Sequence, residues 1–136
     1  MNEAYEEFGI LTSRETKKLD DLDLTVQQEF ILSYISKNEQ ITANDIAAVF
    51  EISKSAVSQV LSKLEKRKMI TKQANPSNKR EYFLALGVNG HKYMESLHQL
   101  DDILIDKYYS KIEIEALQQM TETMLRINEV IRKQKK

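Results

Sequence analysis

Ser55, Ser58, Gln59 and Ser62 run along one stretch of the chain, with Lys54, Lys63 and Lys66 around them. Short hydroxyls and a side-chain amide can donate to and accept from base edges in a groove, and lysine ammonium groups meet phosphate oxygens. This is the chemistry of recognition rather than bond-making. Between Ser53 and Lys68 a single acid, Glu65, stands against Lys54, Lys63, Lys66, Arg67 and Lys68. An ordinary solvated face mixes acids with bases, so the imbalance suits a polyanion. A second basic pair, Lys79 and Arg80, follows in a turn-forming stretch, Ala74-Asn-Pro-Ser-Asn-Lys-Arg80, that holds the only proline.

Helical periodicity sorts the first stretch into two faces. At about 100° per residue, Ala56, Val57, Val60, Leu61 and Leu64 form an apolar stripe, and Ser55, Ser58, Gln59, Ser62, Lys63 and Lys66 lie opposite. The elements before it are legible from their caps. Thr25 and Gln28 form a T-x-x-Q capping box for a helix to about Ser36, with Phe30, Ile31, Tyr34 and Ile35 as its buried side. After a loop from Lys37 to Gln40, Thr42 and Asp45 open a short helix with Ile46, Ala47, Val49 and Phe50 as apolar residues. Ser53 caps the basic helix after a tight connection at Glu51 and Ile52, which makes a helix-turn-helix. Beyond Lys68 the period becomes two, at Ile70, Lys72 and then Tyr82, Leu84, Leu86. These strands flank the basic turn and make a hairpin, or wing, able to project Arg80 into a minor groove beside the helix.

The flanking segments are helical. Residues 2 to about 19 place Ala4, Tyr5, Phe8, Leu11 and Leu19 on one face, interrupted by Gly9. Their partner is either the C-terminal helices of the same subunit or those of a second one. From Val88 a stripe runs through Tyr93, Leu97, Leu100, Leu104 and Tyr108, broadened by Met94, Ile103 and Ile105. Ser110 and Glu113 read as a third capping box, opening a helix with Leu117, Met120, Met124, Ile127 and Ile131 on one side. Two long apolar helices need more cover than the N-terminal arm supplies, so a homodimer with interleaved ends is expected. The basic end, Arg132 to Lys136, complements the helix dipole as a solvated terminus.

Length and composition narrow the rest. One hundred and thirty-six residues suit one domain or one subunit of an interleaved dimer. Net charge is −1, yet residues 51–80 carry eight Lys/Arg and two Glu, a local +6 that leaves −7 elsewhere. The absence of cysteine removes disulfides and thiol sensing. An acidic N-terminus without an apolar signal core, and no apolar run of about 20 residues, point to a soluble, cytoplasmic protein without a membrane partner. Catalysis is disfavoured: no phosphate-binding glycine loop or nucleophile–base pair is present, and Asp101 and Asp102 point about 100° apart on a helix. His91, Glu95 and His98, at i, i+4 and i+7, could ligate zinc and make a metal-responsive regulator the alternative. Three solvent-facing polar residues are the simpler reading, so no metal and no cofactor is expected. A winged helix used only for protein contacts is a further alternative, but it would not need the +6 patch.

The order of parts resembles the MarR (multiple-antibiotic-resistance regulator) family of winged-helix transcription regulators. The resemblance rests on Leu24-Thr-Val-Gln-Gln-Glu-Phe-Ile-Leu32, Ile52-Ser-Lys-Ser-Ala-Val-Ser58, Leu64-Glu65, Met69-Ile70, Asn75-Pro-Ser-Asn-Lys-Arg80, Leu84-Ala-Leu86 and Gly90. Three positions depart from the family pattern. Asn78 stands where an aspartate forms a salt bridge, which predicts a looser tip. Lys68 replaces a glycine that ends the recognition helix, and Gly87 replaces a threonine that caps the next one.

The expected fold is therefore mainly α with a small β-hairpin wing. Residues 25–86 form the DNA-binding winged helix-turn-helix, and 1–24 with 87–136 the helical dimerisation region of a single domain. The expected function is a homodimeric, sequence-specific regulator of transcription, a repressor, on a pseudo-palindromic double-stranded operator. Ser55, Ser58, Gln59 and Ser62 would read bases, Lys54, Lys63, Lys66 and Lys79 would hold phosphates, and Arg80 would enter the minor groove. The resemblance also implies a small-molecule effector between the two regions, for which Tyr5, Phe8 and Tyr34 are the candidate lining.

Overall fold

The computed structural model describes residues 2–20 and 22–134, the side chains of 18–20 excepted. The face assigned to Leu19 and the last two lysines lie outside the described residues. In chain order the elements are α1 (Asn2–Asp20), α2 (Val26–Lys37), α3 (Ala43–Phe50), α4 (Lys54–Lys66), β1 (Ile70–Ala74), β2 (Tyr82–Leu86), α5 (Val88–Lys107), a single 3₁₀ turn (Tyr109–Lys111) and α6 (Ile114–Lys133). Chain contacts divide these into two compact units, the first ending at His98 and the second beginning at Gln99.

In the first unit the caps form where their residue types require. The Thr25 hydroxyl accepts from the Gln28 amide at 3.1 Å while Gln28 Oε1 accepts from the Thr25 amide at 2.9 Å. Thr42 and Asp45 repeat the reciprocal pair at 3.2 and 3.0 Å, and Ser53 Oγ accepts from the Ala56 amide at 3.0 Å. Each satisfies N–H groups that a helix start leaves without an intrahelical partner. Between α3 and α4 the chain turns at Glu51, which is left-handed at φ 51°. The wing is an antiparallel ribbon with Ile70 opposite Leu86 and Ala74 opposite Tyr82, and Ile41 bridges to Leu84.

The core of this unit gathers Ile31, Leu32 and Ile35 from α2, Ile46 from α3, Val57, Leu61 and Leu64 from α4, Met69, Ile70 and Leu84 from the wing, and Tyr93 and Met94 from α5. Two expected core residues are not in it. Phe30 is 62% exposed, because the buried arc of α2 centres on Ile31, Ile35 and Leu32, and Phe30 sits about 145° from that centre. Val49 is 52% exposed for the same reason, lying beyond the arc of Ile46, Ala47 and Phe50.

In the second unit Leu100 is buried and Leu104, Tyr109 and Leu117 are half-buried. Of the stripe expected on α6, Met120, Met124, Ile127 and Ile131 are between 47% and 60% exposed among the described residues. The capping box expected at Ser110 does not form. Ser110 sits in the 3₁₀ turn, where its hydroxyl donates back to the Asp106 carbonyl at 2.8 Å, and α6 starts after Glu113 without a side-chain cap. A hydroxyl bound to the preceding turn cannot serve the following one.

Candidate nucleic-acid interface

Helix α4 shows both faces of its sequence pattern. Val57, Leu61 and Leu64 are buried and Ala56 and Val60 half-buried, whereas Lys54, Ser55, Ser58, Gln59, Ser62, Lys63 and Lys66 are exposed. Ser58, Gln59, Ser62, Lys63 and Lys66 line one shallow depression. Ser58 also belongs to a cleft of about 190 Å³ between helix and wing, where Lys54 and Arg80 meet from two different elements. Ser55 and Lys79 are exposed outside that cleft. A hydroxyl and amide surface is thus edged by cations along α4 and at the wing.

The one acid of the stretch is turned aside. Glu65 Oε1 lies 3.7 Å from Lys72 Nζ on β1, and the same ammonium stands 5.8 Å from the Tyr82 ring centroid. Both charges of this pair are exposed, so it adds little stability. Its effect is to remove the acid from opposition to Lys63 and Lys66. Sequence reasoning did not assign Lys72, Asn44 or Glu81 to the site, yet all three line the cleft, and Asn44 Nδ2 donates to Glu81 Oε1 at 2.9 Å. Lys72 carried only its place in strand alternation as a signal. Asn44 carried only its place beside a helix cap.

The wing tip is tied rather than loose. Asn75 Oδ1 accepts from the Ser77 amide and Asn78 Oδ1 from the Arg80 amide, both at 3.0 Å. Backbone bonds from Asn78 to Asn75 and from Glu81 to Asn78, each 3.2 Å, close the two turns. An asparagine side chain that accepts two residues ahead makes an Asx turn, which needs no charge. Asn78 therefore replaces the missing salt bridge by a different route.

At the far end of α4, Lys68 is left-handed at φ 58°, the conformation expected where it replaces glycine. Arg67, counted with the basic stretch, is used internally. Its guanidinium donates to the carbonyl oxygens of Leu22 and Asp23, and its own carbonyl accepts from Asn89 Nδ2 at 2.7 Å. The start of α5 presses on this end: a Cβ on Gly87 would lie 2.4 Å from the Lys68 oxygen, and one on Gly90 would lie 2.1 Å from the Met69 oxygen. Gly87 is thus demanded by close approach, where a threonine would collide.

Farther from the interface, the Tyr93 hydroxyl on α5 hydrogen-bonds the Glu29 carboxylate on α2. Burial, with the neighbouring negative charge second, pushes the tyrosine up to about 12. Among the ligand candidates, Tyr34 is half-buried and packs edge-on against Phe50, with centroids 6.0 Å apart, whereas Tyr5 and Phe8 are exposed on α1. His91, Glu95 and His98 are exposed on α5, and among the described residues no group of three or more His, Asp or Glu converges in a way that could hold a metal. No helix among the described residues is long and apolar enough to cross a membrane.

A capped helix-turn-helix followed by a basic hairpin defines a winged-helix protein. A model of the MarR family matches residues 22–81. Among curated proteins the chain is 30% identical over 104 residues to the HTH-type transcriptional regulator BilQ of Clostridioides difficile, covering 74% of this chain and 70% of that one. The chain belongs to the MarR family, a family of transcription regulators and not of enzymes. Solved structures agree in fold: S. aureus MepR in complex with DNA has a TM-score of 0.69 at 22% identity, covering 96% of this chain and 97% of the other. S. aureus MepR bound to ethidium bromide scores 0.70 at 21% identity with 96% of each chain covered. The regulator Tm0710 of Thermotoga maritima scores 0.65 at 20%, covering 98% and 94%.

Proposed function

We propose that this chain is a homodimeric, sequence-specific repressor that sets two copies of α4 into successive major grooves, roughly 34–36 Å apart, on a pseudo-palindromic operator. In this reading residues 25–86 are the DNA-binding region, and 1–24 with 87–136 the dimerisation region of one domain. Ser55, Ser58, Gln59 and Ser62 contact base edges, Lys54, Lys63, Lys66 and Lys79 contact phosphates, and Arg80 enters the adjacent minor groove. The observation that carries the proposal is the exposed α4 face, whose only acid is drawn towards Lys72 and whose Lys54 lines one cleft with Arg80. The DNA complex of S. aureus MepR, which shares the fold, supports it.

The test is fluorescence anisotropy of a duplex from the region upstream of the coding sequence, titrated at two salt concentrations beside an unrelated duplex. Tight, salt-sensitive binding that prefers the first duplex is expected. Weak binding, equal for all upstream duplexes tried, would sink the reading in favour of a winged helix used for protein contacts.

A small aromatic effector is the second part of the proposal. S. aureus MepR has been solved with ethidium bromide, and Tyr5, Phe8 and Tyr34 are the proposed lining in this chain. Addition of such a ligand is expected to release the duplex, and Tyr34→Ala to reduce that release.

A further inference from the structure

Arg67 lies in the most basic stretch of the chain, at the end of the helix proposed to enter DNA, and its charge alone would assign it to a phosphate. Its contacts do not. The guanidinium reaches back to the Leu22 and Asp23 carbonyl oxygens, in the connection between α1 and α2. Its backbone carbonyl accepts from the side chain of Asn89, in the first turn of α5, while the Asn89 amide donates to the Lys68 carbonyl at 3.0 Å. The Gly87 amide donates to the Met69 carbonyl at 2.8 Å, so α5 is stitched to the end of α4 backbone to backbone. The close approaches of Gly87 and Gly90 leave that joint no room to slide.

We infer that Arg67 is a positioning residue, which ties the α1–α2 connection and the start of α5 to the C-terminal end of α4 and so sets the angle at which the recognition face meets a groove. This rests on the DNA-binding reading above. A guanidinium suits the task because its planar fork can serve two carbonyls at once and stays charged at all working pH values. An ammonium is a single point and cannot span them in the same way. A residue of this kind contributes to specific binding, where orientation matters, and not to non-specific binding, where only charge does.

The test compares Arg67→Ala, Arg67→Lys, Asn89→Ala and the phosphate-contact control Lys66→Ala, each confirmed folded by circular dichroism. Affinity for the specific and an unrelated duplex is measured across a salt series, and backbone amide exchange is followed over residues 22–25. Arg67→Ala and Arg67→Lys are expected to lose about tenfold in specific affinity, the scale of a lost charged hydrogen bond. Their non-specific affinity and salt slope should stay at the wild-type value, whereas Lys66→Ala should weaken both duplexes and reduce the slope by about one. Asn89→Ala should shift specific affinity in the same direction. Exchange over residues 22–25 should speed up in both Arg67 variants. A salt slope lowered by about one in Arg67→Ala, with equal losses on both duplexes, would make Arg67 a phosphate contact and overturn the inference. Unchanged exchange at residues 22–25 would also overturn it, and that measurement decides even where the wild-type chain binds no duplex. Absence of specific binding by the wild type is the separate failure of the DNA reading. Should Arg67→Ala not fold, Arg67→Lys and Asn89→Ala carry the same comparison.

Discussion

Arg80 and Lys54 reach one cleft from the wing and from the first turn of α4, so the interface is a shared product of two elements whose relative placement the core sets. On the proposed reading, Arg80→Ala should weaken specific binding by roughly 1–3 kcal/mol in the anisotropy assay, and undiminished affinity would show that the wing is not engaged. Tyr93 gives a second prediction at this scale. Its pKa in the folded chain is raised from 10.0 to about 12, so the folded state holds the phenolic proton more tightly than the unfolded one. The resulting stabilisation is fully present below pH 10 and is lost as pH rises from 10 to 12. Urea unfolding of Tyr93→Phe should therefore show a shallower loss of stability across that window than the parent chain. Slopes that coincide would place the alkaline transition elsewhere. Residue types foretold the exposed polar face of α4 and the exposed arginine of the wing. They could not foretell the partners of Lys72 or Arg67, because a long cation carries no signal of which distant carbonyl or carboxylate it will meet.

Elements begin where short polar side chains meet free amides, and three of the four capping residues read from sequence act as expected. The fourth, Ser110, fails because a hydroxyl after a helix end can bond backwards as readily as forwards, and the choice depends on a 3₁₀ turn invisible in residue types. Apolar type alone does not bury Phe30 or Val49. The helical angle decides instead, and each lies outside its buried arc. The end of α4 offers a test at this scale. Lys68 holds a left-handed conformation that glycine adopts without a side-chain penalty, so Lys68→Gly should raise unfolding stability by about 1 kcal/mol. Gly90→Ala should lower it, since its new carbon would lie 2.1 Å from a backbone oxygen. Guanidinium unfolding of both variants measures the pair, and a neutral Gly90→Ala would contradict the close approach.

Among the described residues, Met120, Met124, Ile127 and Ile131 of α6 are about half exposed, which is the feature that the proposed homodimer answers. Ile127→Glu should place a charge on that face, and sedimentation velocity should then find monomers. The variant should keep its circular dichroism and its weak affinity for unrelated duplexes while losing tight binding to the specific one, because two half-sites held together add their binding energies. A dimer that survives Ile127→Glu and Met124→Glu together would place the interface elsewhere. The sequence shows this apolar stripe directly, and the structure leaves four of its five residues about half exposed. Which helix would cover it is not legible, since stripes of leucine, isoleucine and methionine fit many partners.

Strand β1 forms the outer rail of the wing, and its exposed residues are Thr71, Lys72, Gln73 and Ala74. Its partner β2 is flanked on the other side by the bridge from Ile41 to Leu84, so among the described residues the open rim of the ribbon belongs to β1. Such rims are templates for runaway sheet growth, and a lysine at the centre of a short strand is a common deterrent. Lys72 at the centre of this short strand is therefore placed to oppose stacking wing to wing in crowded solution.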